Sequence, residues 1–320
     1  MISRGEIIQK IKSYKPCDEC NTPISKTIPI KNLNLTERKR NCHCGRAQID
    51  DVMLDVANVI IDYNELPNGI TKDTIALKDV GMPMIEAGYP LKYAPVLSKN
   101  DLVLLNNYVS KECANEIIKI PEIKSVISNL NENSTDKKEY TRIKTVNNSE
   151  YTNNLIAGDD FRCDIFPVKS LSTCVISCKN QSKLHIEFPR PFNPKINKIE
   201  RLNLKDKVVL DGFCGCGTLG MVALKKGAKK VIFSDINKIA LYDLEYNLKI
   251  NFGEEIFENN RVEIIHSDFM NLNFSDINSD INKSNVSNSI DICFVDLFPN
   301  MEPEKFLEKA KKLSKDVILI

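Results

Sequence analysis

The 320-residue chain is long enough for two domains at roughly 100–200 residues each, and 42% hydrophobic residues supply an ordinary globular core. A net charge of +1 excludes a uniformly polycationic nucleic-acid binder, and no apolar run approaches the roughly 18 residues of a membrane span. Eleven cysteines behind a start, MISRGEIIQKIKSYK, that lacks a secretory apolar core predict a cytoplasmic, reducing setting; there cysteines are thiols, metal ligands or core residues.

The first segment reads as a short amphipathic helix followed by a cysteine module over residues 1–49. CDEC places Cys17 and Cys20 one turn apart, and CHC adds Cys42 and Cys44. Two close pairs across a loop complete four thiolates, the ligand set of structural zinc, whose binding energy replaces the apolar core that so short a segment lacks. The second pair is CxC where the commonest ribbons have CxxC, and a redox pair or unrelated thiols are the competing readings. This module holds six lysines and four arginines against four acids, an excess of six positive charges that leaves the rest of the chain with an excess of five negative ones. A basic end on a mildly acidic body suits a polyanion met at that end, and equally a solvated surface.

Residues 50–128 alternate short apolar runs with polar breaks (VMLDVANVIIDY, DLVLLNNYV, ECANEIIKI, IKSVISNL) and predict a small α/β module, with Ser110 capping a helix. No catalytic motif stands in it. A polar stretch makes residues 129–157 a linker. Residues 158–320 form the third domain. STCVISC and KLHIEF around KNQS predict a β-hairpin. Then strands KVVLD, KVIFSD, VEIIHSD, IDICFVD and DVILI alternate with helices LGMVALKKG, KIALYDLEYNLKIN and EPEKFLEKAKKLS, with a polar insertion at 271–289. That alternation specifies an α/β, doubly wound, mostly parallel sheet. The chain stops at DVILI, and the upstream hairpin is expected to supply the missing sheet edge. Cys113, Cys163 and Cys293 read as buried thiols.

VVLDGFCGCGTLG carries the ligand site. Gly215, Gly217 and Gly220 spell GxGxxG, which alone fits a dinucleotide or S-adenosylmethionine. No Lys-Ser/Thr follows, which removes a triphosphate loop. Asp211 ends the strand before the glycines: a carboxylate there repels pyrophosphate but accepts a hydrogen bond from an ammonium group, which S-adenosylmethionine has. Asp235 ends the next strand, placed for ribose hydroxyls. Asp268 ends the third, where a carboxylate can take an adenine amino group with Phe269 against the ring. Acids ending three successive strands favour S-adenosylmethionine over a nicotinamide dinucleotide. Cys214 and Cys216 are then small residues that leave the loop backbone room.

These residues, from Val208 through KIALYDLEYNLKIN, resemble the Rossmann-fold S-adenosylmethionine-dependent methyltransferases. Within them they look most like archaeal tRNA guanine methyltransferases and wyosine-pathway relatives. FNPKINKIERLNL, a Pro-containing stretch ending in Glu200-Arg201 before the first strand, carries the same likeness. The resemblance covers roughly residues 185–300 and implies a methyltransferase sheet, with the cofactor held by Asp211, Phe213, Gly215, Gly217, Asp235, Ile236, Asp268 and Phe269. It also implies a substrate loop at DLFP, where Asp296, Phe298 and Pro299 stand in place of the Asn/Asp-Pro-Pro-aromatic or Asn-Leu-Pro of such enzymes. Asp296 keeps an acceptor that can orient an amine and take its proton, and Phe298 can stack on a planar ring or face the core. Whether Glu200 and Arg201 face the site or tie the linker to the sheet is open.

The expectation is an S-adenosylmethionine-dependent methyltransferase, with structural zinc, acting on a base of RNA such as tRNA. A small heterocyclic metabolite is the alternative acceptor, and a non-catalytic S-adenosylmethionine- or RNA-binding protein the alternative to an enzyme. The oligomeric state is open, and no membrane partner is expected.

Overall fold

The computed structural model describes residues 3–129, 154–273, 290–298 and 301–320. Residues 274–289 of the predicted insertion, most of the linker, and Pro299 therefore lie outside the described residues. Two compact units divide the chain. One is built from the amino-terminal part with Ser149–Asp164 and Asn180–Phe188, the other from Ile165–Lys179 and Pro189–Ile320.

In the first unit, the opening helix Arg4–Ser13 starts at Ser3, whose hydroxyl and Glu6 form a reciprocal capping box. The helix Ile49–Asp62 buries one apolar stripe, Val52, Met53, Val56 and Ile60, and turns its first-turn acids toward the cysteine module. Asp50 accepts from the Ile24 amide at 3.0 Å, and Asp51 accepts from Asn21 and Arg38, each at 2.7 Å. A four-stranded sheet runs Met82–Ile85, Leu102–Leu105, Ile123–Ser128, Asn154–Gly158 in spatial order. The last of these falls inside the stretch read as linker. Ser110 caps the helix Lys111–Ile117 as expected, its hydroxyl accepting from the Cys113 amide at 3.1 Å.

The second unit is a five-stranded sheet. Its strands are β1 (Val208–Asp211), β2 (Lys230–Asp235), β3 (Val262–His266), β4 (Ile290–Val295) and β5 (Ser314–Leu319), in the order β3-β2-β1-β4-β5 and all parallel. The helices that pack on its faces include α1 (Thr218–Lys225), α2 (Lys238–Phe252) and α3 (Glu304–Leu313). Successive strand residues point to opposite faces, and here both faces are buried. Val209, Val231, Phe233 and Ile292 pack with α1 and α2 residues such as Met221, Leu244 and Leu248. Leu210, Ile232, Cys293 and Val295 pack with Phe306, Ala310 and Leu313 of α3. That is why these strands read as unbroken apolar runs.

The hairpin was misplaced in the sequence reading. Thr173–Asn180 is a strand, but its hydrogen-bonded neighbour is Phe161–Val168, joined through a turn in which Ser172 has φ +48°. Lys183–Phe188 forms no strand. Arg162 and Asp164 hid the true partner strand: both are buried and paired at 2.7 Å, so a polar pattern occupied core positions. The hairpin also stays outside the five-stranded sheet and does not supply its edge. Cys113 and Cys293 are buried thiols as read, whereas Cys163 is disulfide-bonded.

Candidate functional site

Parallel pairing brings the acids to one end of the sheet. Asp211 lies beside Phe233 of β2 and Phe294 of β4, so Asp235 and Asp296 each follow two residues beyond that register. Asp235 in turn pairs with His266, and Asp268 follows two residues on. Carboxyl ends of β1, β2, β3 and β4 thus carry Asp211, Asp235, Asp268 and Asp296, the crevice in which doubly wound sheets bind ligands.

The loop between β1 and α1 is held open by its chemistry. Gly215 has φ +50°, and a Cβ there would meet nothing within 4 Å, so its side faces open space. Gly220 serves close packing instead, since a Cβ there would collide with the Phe233 ring. Asp211 is 1% exposed; its Oδ2 accepts from the Gly220 amide in the first turn of α1 at 2.8 Å, while its Oδ1 is buried without a partner. Buried acceptors are ordinarily satisfied, so this orphan oxygen fits a donor brought by a ligand. Burial foremost, then the charges of Asp296 and Asp235, push the Asp211 carboxyl up to about 7, against the Gly220 amide and Lys195.

Asp235 accepts from the amides of Gly215 at 2.7 Å and Asn237 at 2.8 Å, tying loop to strand end. A carboxylate has about four lone-pair positions, which leaves room for hydroxyl donors. Burial raises its carboxyl too. Ile236 beside it is exposed, and its carbonyl accepts from His266 Nε2 at 3.0 Å. Asp268 caps the turn Phe269–Asn271 through the Met270 amide at 2.9 Å. Phe269 is buried, its ring centroid 4.8 Å from that of Phe213, which also meets Phe306 edge-on at 5.5 Å. Gly217, with φ +86°, begins α1.

On the substrate side, both oxygens of Asp296 accept from Lys195 Nζ, at 2.8 and 2.7 Å. Phe298 is 46% exposed, two residues further on. Sequence reading missed Lys195, which stands one residue past Pro194 in the short helix Pro194–Glu200 capped by Asn193. A lysine at a helix start, against the helix dipole, was the available signal. It also missed Asn247 and Asn251, fully or nearly buried on α2. Glu200 ties the turn between the strands Phe161–Val168 and Thr173–Asn180, accepting from the Ser170 amide at 2.6 Å.

The four amino-terminal cysteines gather in the first unit. Cys17 lies 3.4 Å from Cys20 and 3.3 Å from Cys42, Cys20 lies 3.8 Å from Cys44, and all four sulfurs fall within 4.8 Å of one another. Tetrahedral zinc with Zn–S bonds of about 2.3 Å needs sulfurs about 3.8 Å apart, so the donor set fits that ion. Three of the module's four arginines point inward. Arg38 binds Asp51, Arg40 binds Asp55 and Glu122, and Arg46 donates to the carbonyls of Ser13 and Lys15. These arginines are therefore engaged within the fold, while Lys12, Lys15, Lys26, Lys31 and Lys39 stay exposed.

Residues 192–314 match the family described as Conserved hypothetical protein 95. A ribosomal RNA large subunit methyltransferase I from Aliivibrio fischeri is 39% identical over 69 residues, 22% of this chain and 16% of the relative. A ribosomal protein L11 methyltransferase from Pseudoalteromonas atlantica is 42% identical over 59 residues, 18% of this chain and 20% of the relative. The chain thus spans a fifth or less of these relatives. Among solved structures, TYW2 of P. horikoshii in complex with MeSAdo aligns over 82% of this chain and 76% of its own, at 14% identity and a TM-score of 0.44. One of the two curated relatives is named for RNA and the other for protein, so their names have methyl transfer in common and not the acceptor. The chain has methyltransferase homologues, and its second unit is the doubly wound α/β sheet expected for them.

Proposed function

We propose that this chain is an S-adenosylmethionine-dependent methyltransferase whose region 158–320 transfers a methyl group to a base of RNA, tRNA foremost, in the cytoplasm. The observation that carries the cofactor assignment is the orphan Asp211 Oδ1 beneath an open glycine loop, with Asp235 and Asp268 ending the next two strands. When bound, S-adenosylmethionine supplies an electrophilic methyl on a sulfonium. Asp211 takes its ammonium group, Asp235 its ribose hydroxyls, and Asp268 with Ile236 its adenine edge. Asp296 orients the acceptor amine and takes the proton released as nitrogen–carbon bonding replaces sulfur–carbon bonding. Phe298 offers an exposed ring on which a flat base can stack. Lys195 must leave Asp296, or share it, before an amine reaches that carboxylate.

Structural zinc held by Cys17, Cys20, Cys42 and Cys44 belongs to the same reading, with the basic residues 1–49 gripping the RNA backbone. The inward-turned arginines favour a second reading, a small heterocyclic acceptor that needs no phosphate grip. Salt separates the two, because RNA binding weakens steeply with ionic strength and turnover of a small neutral substrate does not. The primary test is calorimetric titration with S-adenosylhomocysteine, using NAD as control. Micromolar binding of the first alone supports the assignment; binding of neither, or of NAD, overturns it.

A further inference from the structure

The buried asparagines Asn247 and Asn251 form a clamp that the sequence reading left without a role. They stand four residues apart on α2, about 6 Å along the helix axis. Alternate residues of a strand stand about 6.6 Å apart. One face of the helix therefore meets the backbone of Thr173–Asn180 in register. Asn251 accepts from the Ile176 amide at 3.0 Å and donates to its carbonyl at 2.7 Å. Asn247 does the same at Cys178, accepting at 2.7 Å and donating at 3.1 Å. Each side chain behaves toward that strand as a single residue of a neighbouring strand would.

The two then part company. The Asn247 amide nitrogen also donates to the carbonyl of Cys216, at 3.1 Å, inside the glycine loop. The Asn251 nitrogen turns instead to the Met221 sulfur at 3.4 Å and the Asn247 carbonyl at 2.8 Å. Cys216 lies between Gly215 and Gly217, both at positive φ, and the Gly217 amide is itself held on the Cys214 carbonyl at 2.7 Å. The peptide after Cys216 is thus fixed from both sides, which sets the direction of the loop's backbone.

We propose that Asn247 is a positioning residue for the cofactor: it couples the order of the glycine loop to the order of the strand Thr173–Asn180, so that the loop is pre-formed before the cofactor arrives. The inference rests on the S-adenosylmethionine reading of the loop. If the binding-competent loop is only a fraction of the population, the apparent affinity falls by that fraction. Removing one donor to a buried carbonyl costs enough to reduce that fraction about tenfold.

The test compares Asn247→Ala and Asn247→Ser with Asn251→Ala and Asn251→Ser in the full chain. Loss of the strand clamp lowers Tm in both pairs. Only the Asn247 variants are expected to bind S-adenosylhomocysteine about tenfold more weakly. Hydrogen exchange on the unmodified protein gives an independent reading that needs no variant to fold. Adding S-adenosylhomocysteine should raise protection of the Cys178 amide, which lies outside the cofactor loop. Unmodified protein that binds no S-adenosylhomocysteine overturns the cofactor reading and the coupling with it. Binding by the unmodified protein, with equal affinity losses at both asparagines or no change in Cys178 protection, overturns the coupling alone.

Discussion

The cysteine module and the five-stranded sheet use polar residues in opposite ways. In the module, charge is structural: Arg38, Arg40 and Arg46 are consumed by Asp51, Asp55, Glu122 and backbone carbonyls, and four sulfurs take the place of an apolar core. In the sheet, apolar residues hold both faces, and polar residues are pushed to the strand ends, where Asp211 keeps an oxygen unpartnered. A net positive segment therefore need not be a binding surface. A carboxylate at a strand end whose own fold leaves it unsatisfied is a better pointer to a ligand.

Metal removal breaks the comparison most sharply. Structural zinc in such modules contributes about 10–16 kcal/mol of apparent binding energy at pH 7. Chelation, or Cys17→Ser or Cys44→Ser, should unfold the first unit. S-adenosylhomocysteine binding is retained by the second, read by far-UV circular dichroism beside calorimetry. One zinc per chain is expected by elemental analysis; none in fully reduced protein sinks the zinc assignment. Next in size, Gly220→Ala drives a methyl into the Phe233 ring and should cost about 1–3 kcal/mol, seen in denaturant midpoints, with cofactor affinity falling as well. An unchanged midpoint contradicts the packing at that glycine.

Asp296→Ala should lower turnover about a hundredfold or more, the usual scale for removing a proton acceptor, while the Kd for S-adenosylhomocysteine stays nearly constant. Equal losses in both would make Asp296 a cofactor ligand or a structural residue. The smallest effect is in pH. The Asp211 carboxyl rises from 3.8 to about 7 on folding. Its contribution to stability in the cofactor-free protein is therefore complete below pH 3.8 and lost as pH rises through about 7. A bound ammonium reverses the preference toward the ionised form. Affinity for S-adenosylhomocysteine should accordingly drop about tenfold per pH unit below about 7, and Asp211→Asn should bind weakly with that slope removed. A flat pH profile in the unmodified protein would place the ammonium elsewhere.

Much of the second unit was legible because its signals are local. Alternating strand and helix lengths gave the sheet, and successive strands ending in Asp gave the crevice. Parallel pairing then had little freedom in where those ends could go. The hairpin was illegible because Arg162 and Asp164 neutralise each other inside the fold, so the core face of Phe161–Val168 looks polar in one dimension. The asparagine clamp was illegible for a related reason. An amide on a helix looks like a surface residue until the strand it satisfies is known to lie against it.

The amino-acid sequence by itself determined the doubly wound class, the glycine loop, the acids around it and the four-cysteine set, because each depends on residue type and short spacing. Only the tertiary structure decided that Lys195 covers Asp296, that the arginines turn inward, and that Asn247 joins strand to loop. Those contacts link residues as far as 101 positions apart, and their energies depend on burial, which a linear pattern does not contain.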